Sequence, residues 1–201
     1  KKNDRIVEIL ETQYAGASDV ITLQEVAGSF VERAQALALG NKFHFLAPSS
    51  AKAKGREQNS VVLLNRARVD VAKARDVSED VAKLFEGKVP VDDGDLLAVR
   101  VPLLGRGDGA PDVLVASFHG DTDGLATIPV LRALHKYAQA QRPGPLQLLF
   151  GLDANAYDKF KPGKQLDVRE FARVFREELG MTSCFGDNPD PSRFTTYNAR
   201  T

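Results

Sequence analysis

Two spacings of apolar residues recur along the chain. Short, nearly continuous apolar runs predict buried β-strands at Asp19–Gln24, Phe43–Leu46, Ser60–Leu64, Val113–His119 and Leu146–Leu152. Apolar residues three or four positions apart predict amphipathic helices at 3–15, Val26–Leu39, Asp123–Gln141 and Asp167–Leu179. Glycine follows the second of these helices at Gly40, where we expect it to end. The chain therefore alternates between strands and helices.

The strands also predict hairpins. Ser60–Leu64 is expected to pair with Val69–Ala72, and Leu96–Leu104 with Val113–His119 across a loop rich in Gly and Asp. Hairpins mixed with crossover helices favour an α/β fold, a mixed β-sandwich flanked by helices. We expect one domain over residues 1–201. Because the chain opens on Lys1 and stops at Thr201 in mid-pattern, we expect that domain to be incomplete at both ends.

Polar residues end two of the most apolar strands. Glu25 follows Asp19–Gln24, and Asp153 and Asn155 follow Leu146–Leu152. Ligands of open α/β sheets bind at the carboxyl edge of the strands, and paired carboxylates there suit a hard metal ion and phosphate chemistry. Residues two apart on a strand share a face, so Asp153 and Asn155 are predicted to converge on one ligand. The alternative for this pair is an Asx turn.

His119 marks a third polar strand end. A histidine there can donate a proton to a phosphate oxygen or act as a general acid. The alternative is a loop histidine beside Asp121 or Asp123, either of which can cap the next helix. For Asp123 we favour the capping role.

Composition narrows the class of protein. Apolar residues make up 43% of the chain, the formal net charge is zero, and no apolar run approaches the length that spans a bilayer. The single Cys184 excludes an internal disulfide and fits an intracellular, reducing compartment. Neutrality disfavours a nucleic-acid binder unless a local basic groove exists. The loop with Lys52, Lys54 and Arg56, followed by Asn59, is the candidate substrate contact, and a solvated surface loop is the alternative.

Together these motifs resemble a known superfamily. The order Gln24-Glu25, then His119, then Asp153-Ala154-Asn155 is similar to that of the endonuclease/exonuclease/phosphatase superfamily. The tail Arg193–Tyr197 is similar to a Thr-aromatic strand of its deadenylase-like nuclease branch. The resemblance implies a four-layer α/β sandwich. It also implies a phosphodiester hydrolase that uses Mg²⁺, or alternatively Mn²⁺, on RNA or single-stranded DNA.

The resemblance also implies roles for the matching residues. Glu25 would ligate the metal ion. Asp153 would orient or deprotonate the attacking water and help to hold the metal. Asn155 would hold the scissile phosphate, and His119 would contact the phosphate or the leaving group. Asn59, Arg56 and Lys54 would contact the substrate.

The sequence departs from the family pattern in several places. An upstream Asn on a first strand and a final Asp-His pair are absent, and Leu152 separates Gly151 from Asp153. Two alternatives therefore stay open. One is an enzyme of the same fold that acts on an inositol phosphate, a phosphoinositide or another phospholipid. The other is an inactive domain that serves as an interaction subunit of a larger assembly.

Overall fold

The computed structural model of the chain describes residues 2–49, 58–105 and 111–186. The strands are β1 Val20–Val26, β2 Phe43–Leu46, β3 Asn59–Asn65, β4 Arg75–Asp76, β5 Leu96–Val101, β6 Val113–His119 and β7 Gln147–Asp153. The helices are α1 Lys2–Ile9, α2 Gly28–Gln35, α3 Ala38–Lys42, α4 Ser78–Ala82, α5 Thr127–Gln139 and α6 Val168–Arg173. Single π-helical turns, Leu10–Tyr14 and Val174–Glu178, extend α1 and α6.

The strands form two sheets that are consecutive in sequence. The first has the order β1-β3-β2 and is antiparallel throughout. The second has the order β4-β5-β6-β7, with antiparallel pairs except for the parallel pair of β6 and β7. Helix α5 connects those two parallel strands, as a parallel pair requires a crossover. Their carboxyl ends therefore lie at the same edge of the sheet.

Three apolar clusters divide the molecule into four layers. The helices of the first layer pack on the first sheet through Phe30, Ala34, Leu39, Phe43, Val61 and Leu63. The two sheets pack on each other through Val62, Leu64, Leu97, Val99, Val113 and Val115. Helix α5 packs on the second sheet through Val130, Leu134, Leu114, Ala116 and Phe118. Each of these larger side chains contributes roughly 2 kcal/mol by leaving water, and the predicted helix-flanked sandwich is confirmed.

Two predictions of local structure were wrong. Gly40 does not end the helix that follows β1, because α2 ends at Gln35 and Gly40 lies inside the separate helix α3. Ser60–Leu64 does not form a hairpin with Val69–Ala72. Strand β3 is central and pairs on both sides with β1 and β2, while Val69 bridges Leu103 instead. All seven residues of β3 are buried, and burial on both faces is typical of a central strand.

No helix within the described ranges is long and apolar enough to cross a membrane. The predicted intracellular location stays a prediction.

Candidate active site

Alternation along β6 directs His119 to the interface between the sheets. Val113 and Val115 lie in the inter-sheet cluster, whereas Leu114, Ala116 and Phe118 face α5. Side chains two apart share a face of a strand. Ser117 and His119 therefore continue the inter-sheet row to the carboxyl end of the strand.

Asp153 is the neighbour of His119 on the adjacent strand. In the parallel ladder Ser117 is opposite Gly151, and His119 is opposite Asp153. Adjacent strands lie about 4.8 Å apart. The hydrogen bond from the Gly120 N–H to the Asp153 carbonyl oxygen, at 3.0 Å, extends this pairing past the strand end. The second sheet thus supplies an imidazole and a carboxylate side by side.

Glu25 reaches the same place from the first sheet because β1 contains a β-bulge. Leu23 pairs with Val61 but Val26 pairs with Asn59, so β1 carries one extra residue there. Glu25 has a φ of 57°, in the left-handed region that a residue other than glycine rarely adopts. Regular alternation would send Glu25 to the helix side with Leu23, whereas the bulge turns it towards the second sheet.

The two sheets meet at these side chains. Glu25 Oε1 lies 3.7 Å from His119 Nε2. The Glu25 side chain is 60% exposed and the His119 side chain 15% exposed. The arrangement places a carboxylate that solvent reaches freely beside an imidazole that is mostly enclosed. The structure therefore brings together Glu25, His119 and Asp153, as their positions at strand ends predict.

Asn155 occupies a different position from the one predicted. The prediction that it shares a strand face with Asp153 was wrong, because β7 ends at Asp153 and Asn155 has a φ of 46°. Its backbone N–H donates to Asp153 Oδ1 at 3.1 Å, which is the Asx turn left open as an alternative. Its side-chain Nδ2 donates to the Gly120 carbonyl oxygen at 2.8 Å. Asn155 thus ties the loop after β7 to the loop after β6, and its contact with phosphate stays a prediction.

The two loops form one rim beside His119 and Asp153. Tyr157 Oη donates to the Thr122 carbonyl oxygen at 2.6 Å. The capping role favoured for Asp123 was wrong: Asp121 Oδ1 accepts the Ala126 N–H at the start of α5, whereas Asp123 Oδ1 accepts from Gln165. Asp121 therefore uses one carboxylate oxygen to fix the loop.

Of the three predicted substrate contacts, the structure describes Asn59 alone. Asn59 is only 3% exposed, and its Nδ2 donates to the Val26 carbonyl oxygen at 3.1 Å. It therefore supports the backbone just after the bulge, and a direct contact with substrate stays a prediction. Lys54 and Arg56, like Lys52, lie outside the described residues.

The carboxylate oxygens at the site suit a hard cation that takes few ligands from the protein. Within the described ranges, no group of three or more His, Cys, Asp or Glu side chains could hold a metal ion. Mg²⁺ is bound by one or two carboxylates, with water and phosphate completing its shell. Glu25 and Asp153 fit that requirement.

Sequence reasoning missed the bulge and the roles of two residues behind the site. The signal for the bulge is the apolar spacing in β1, which lengthens from two between Ile21 and Leu23 to three between Leu23 and Val26. Gln24 was recognised only as part of the Gln24-Glu25 motif, without a role of its own, and Ser117 was not recognised. Gln24 is buried in part between the sheets and Ser117 completely. A lone Ser inside an apolar strand carries no local sign of its partner.

Comparisons with known proteins place the chain in a family and agree with its fold. The family model described as the endonuclease/exonuclease/phosphatase family matches residues 1–201. A search of curated proteins finds no match.

Solved structures share the fold at low identity. ANGEL2, a 2′,3′-cyclic phosphatase, aligns with a TM-score of 0.55 and 14% identity over 87% of this chain and 47% of its own. TDP2 of D. rerio, humanised by 14 mutations, aligns with a TM-score of 0.56 and 14% identity over 91% of this chain and 60% of its own. A mannosyl-6-phosphatase of Bacteroides thetaiotaomicron VPI-5482 aligns with a TM-score of 0.52 and 16% identity over 77% of this chain and 56% of its own.

The alignments cover 47% to 60% of the length of these three structures, so the chain corresponds to only part of each. At such identities the likeness concerns the fold. The match of the family model over residues 1–201 and the shared fold lead to one conclusion. The chain belongs to the endonuclease/exonuclease/phosphatase family.

Proposed function

We propose that the protein is a Mg²⁺-dependent phosphodiester hydrolase, a nuclease of the deadenylase-like type. The observation that carries this proposal is the convergence of Glu25 from one sheet with His119 and Asp153 from the other. Glu25 Oε1 lies 3.7 Å from His119 Nε2, and His119 is opposite Asp153 in the ladder. Carboxylates beside an imidazole, open to solvent on one side, suit the hydrolysis of a charged, hydrated group.

Glu25 and Asp153 would hold the metal ion, Mg²⁺ or alternatively Mn²⁺. When bound, such an ion neutralises the charge that develops on a phosphate during an in-line displacement. The exposed Glu25 carboxylate leaves room for the water and phosphate ligands that Mg²⁺ retains.

The remaining roles follow from the chemistry of each side chain. Asp153 accepts a proton from the attacking water, whose oxygen forms the new bond to phosphorus while the bond to the leaving oxygen breaks. His119 donates a hydrogen bond to the phosphate or a proton to the leaving oxygen. An Asn amide has two N–H donors. Asn155 uses one on Gly120, which leaves the other for a phosphate oxygen.

The substrate class we favour is RNA or single-stranded DNA. In support, ANGEL2 has been solved with adenosine-2′,3′-vanadate, a nucleoside-based ligand, although its likeness to this chain shows the fold alone. The alternative is a phosphatase for a small phosphorylated alcohol such as an inositol phosphate. The neutral formal charge and the likeness to a mannosyl-6-phosphatase favour that alternative.

The test is hydrolysis by the full-length protein. Poly(A), generic single-stranded DNA and a panel of inositol polyphosphates are offered with and without Mg²⁺. Glu25→Gln and Asp153→Asn keep the shape of each side chain and should each lower kcat by about 100-fold or more. Glu86→Gln is the control, because its parent side chain is 90% exposed and lies beside Lys136 of α5.

Each outcome decides between the candidates. Cleavage of poly(A) or DNA supports the nuclease, and release of phosphate from the inositol panel supports the alternative. Activity that both site variants retain would remove Glu25 and Asp153 from the reaction. No hydrolysis of any substrate would leave the interaction domain as the better account.

A further inference from the structure

A closed hydrogen-bond network joins the two sheets directly behind the site. Gln24 Nε2 donates to Ser117 Oγ at 2.9 Å and to the Gly151 carbonyl oxygen at 3.4 Å. Ser117 Oγ in turn donates to the Leu23 carbonyl oxygen at 3.0 Å. We call these contacts of Gln24, Ser117, Gly151 and Leu23 the inter-sheet network.

The donors and acceptors of this network leave little choice of residue. Ser117 is fully buried, and a buried hydroxyl needs partners. Since Ser117 spends its hydrogen on the Leu23 carbonyl, it must accept from Gln24. The Gly151 carbonyl can only accept as well. The position of Gln24 therefore calls for a side chain with two N–H donors.

The network lies at fixed sequence distances from the site. Gln24 directly precedes Glu25. Ser117 lies two residues before His119 on the same face of β6, and Gly151 lies two residues before Asp153 on β7. Each of the three converging residues is thus one or two positions beyond a member of the inter-sheet network.

The inter-sheet network also bears on the strained backbone at the bulge. A residue other than glycine held in the left-handed region persists only when the surrounding structure constrains it. The backbone around Glu25 is held before the bulge by Gln24 and after it by the bond from Asn59 to the Val26 carbonyl. These bonds therefore flank the strained residue Glu25 on both sides.

On this basis we propose that Gln24 and Ser117 are positioning residues, which set Glu25 of the first sheet against His119 and Asp153 of the second. The proposal rests on the proposed function, since it concerns a metal ligand of that site. It adds that the metal affinity of Glu25 and Asp153 depends on two side chains that touch neither metal nor substrate.

The test compares apolar variants of nearly equal volume. Gln24→Met removes the donors without adding charge, Ser117→Ala removes the hydroxyl, and the double variant removes both. Gln147→Met on the exposed start of β7 is the matched control. Binding of Mn²⁺ to each protein is measured directly by electron paramagnetic resonance, beside kcat, KM and the midpoint of urea unfolding.

Gln24→Met should weaken Mn²⁺ binding by about tenfold or more, the usual effect of a lost partner behind a metal ligand. It should lower kcat by a similar factor and leave KM within about threefold, because the substrate keeps its contacts. The double variant should lose less stability than the sum of the two single variants, because both substitutions break the same bond between Gln24 and Ser117, which can be lost only once. It should not recover Mn²⁺ affinity.

Several results would overturn the proposal. One is a Gln24→Met protein that unfolds more easily yet binds Mn²⁺ as the wild type does, which would make the network merely structural. Another is a double variant in which stability and Mn²⁺ affinity recover together. A wild type that binds no Mn²⁺ also overturns it. A wild type that binds Mn²⁺ but hydrolyses nothing removes the proposed reaction alone, and the Mn²⁺ affinities of the variants still decide the positioning role.

Discussion

Gly151 of β7 lies directly against Thr22 of β1 across the inter-sheet interface. A Cβ atom added at Gly151 would lie 2.0 Å from Thr22 Oγ1 and 2.9 Å from Thr22 Cβ. Gly151 is not in the left-handed region, so it is required for this close approach rather than for its backbone conformation. The separation of the sheets beside the site therefore depends on a missing side chain.

We expect Gly151→Ala to destabilise the protein by about 1–3 kcal/mol, the usual cost of overpacking. The added methyl group must push β1 and β7 apart, and this displacement should also lower activity through Glu25. Urea unfolding and kcat of the full-length protein give the two measurements. Thr22→Ala in the same protein should restore part of the stability, because it removes the nearer contact. Additive losses in the double variant would contradict the steric account.

The left-handed backbone of Glu25 predicts an unusual order of stabilities. Glu25→Gly should be more stable than Glu25→Ala by about 1 kcal/mol, since only glycine adopts this conformation without cost. Both variants lose the carboxylate and should be equally inactive. The measurement is the free energy of unfolding of each.

Glu32 provides the control for this comparison. It is exposed and lies within α2, where glycine is less favourable than alanine by about 1 kcal/mol. The Gly and Ala variants of Glu32 should thus show the opposite order. If the alanine variant is the more stable one at both positions, the backbone of Glu25 is not strained.

Asn155 should be sensitive to the loss of one amide group. In the wild type, the Gly120 carbonyl oxygen accepts from Asn155 Nδ2 at 2.8 Å. Asn155→Asp replaces this donor with a carboxylate oxygen, which cannot donate to the carbonyl. A lost buried partner costs about 1–3 kcal/mol, so we expect a lower unfolding free energy together with lower kcat. The exposed Asn41→Asp is the matched control and should change neither by much. An Asn155→Asp protein as stable as the wild type would show that the two rim loops do not depend on this bond.

Stability should fall as the pH is lowered below neutrality, in part through His44 on β2. Burial, with a smaller effect of Arg66, lowers the pKa of His44 below the ordinary value of 6.5. The unfolded chain then binds a proton that the folded chain resists, so stability is lost as the pH falls through 6.5 towards the folded pKa. His44→Gln should show a shallower loss between pH 7.5 and about 5. A constant difference between the two proteins across that range would refute the role of His44.

The sequence was sufficient for the architecture and for the meeting of His119 with Asp153, because these depend on alternation and on strand ends. Glu25 joins them through the bulge, which regular alternation does not predict. His119 and Asp153 end long apolar strands, and parallel pairing places such ends together. The partners of β3 were not predictable, since a fully apolar run carries no sign of which strands flank it. Its pairing is set by residues far away in sequence.

The conformation of the site needed the structure. Nothing local distinguishes an Asn155 that continues a strand from one that turns out of it, because Asp-x-Asn suits both. The inter-sheet network was equally out of reach, since Gln24 and Ser117 are 93 positions apart. Such contacts arise only when the two sheets pack.

The order of the sheets along the chain has a consequence for how the site can be divided. Within the described residues, the strands of the first sheet lie before residue 66 and those of the second sheet from residue 75 onward. Glu25 therefore belongs to one continuous piece of polypeptide and His119 and Asp153 to another, linked once through residues 66–74. A break in that link would separate the two halves of the site, and an exchange of one half between related proteins would recombine them. Hydrolysis by the reassembled protein would then report directly whether the two halves recognise each other.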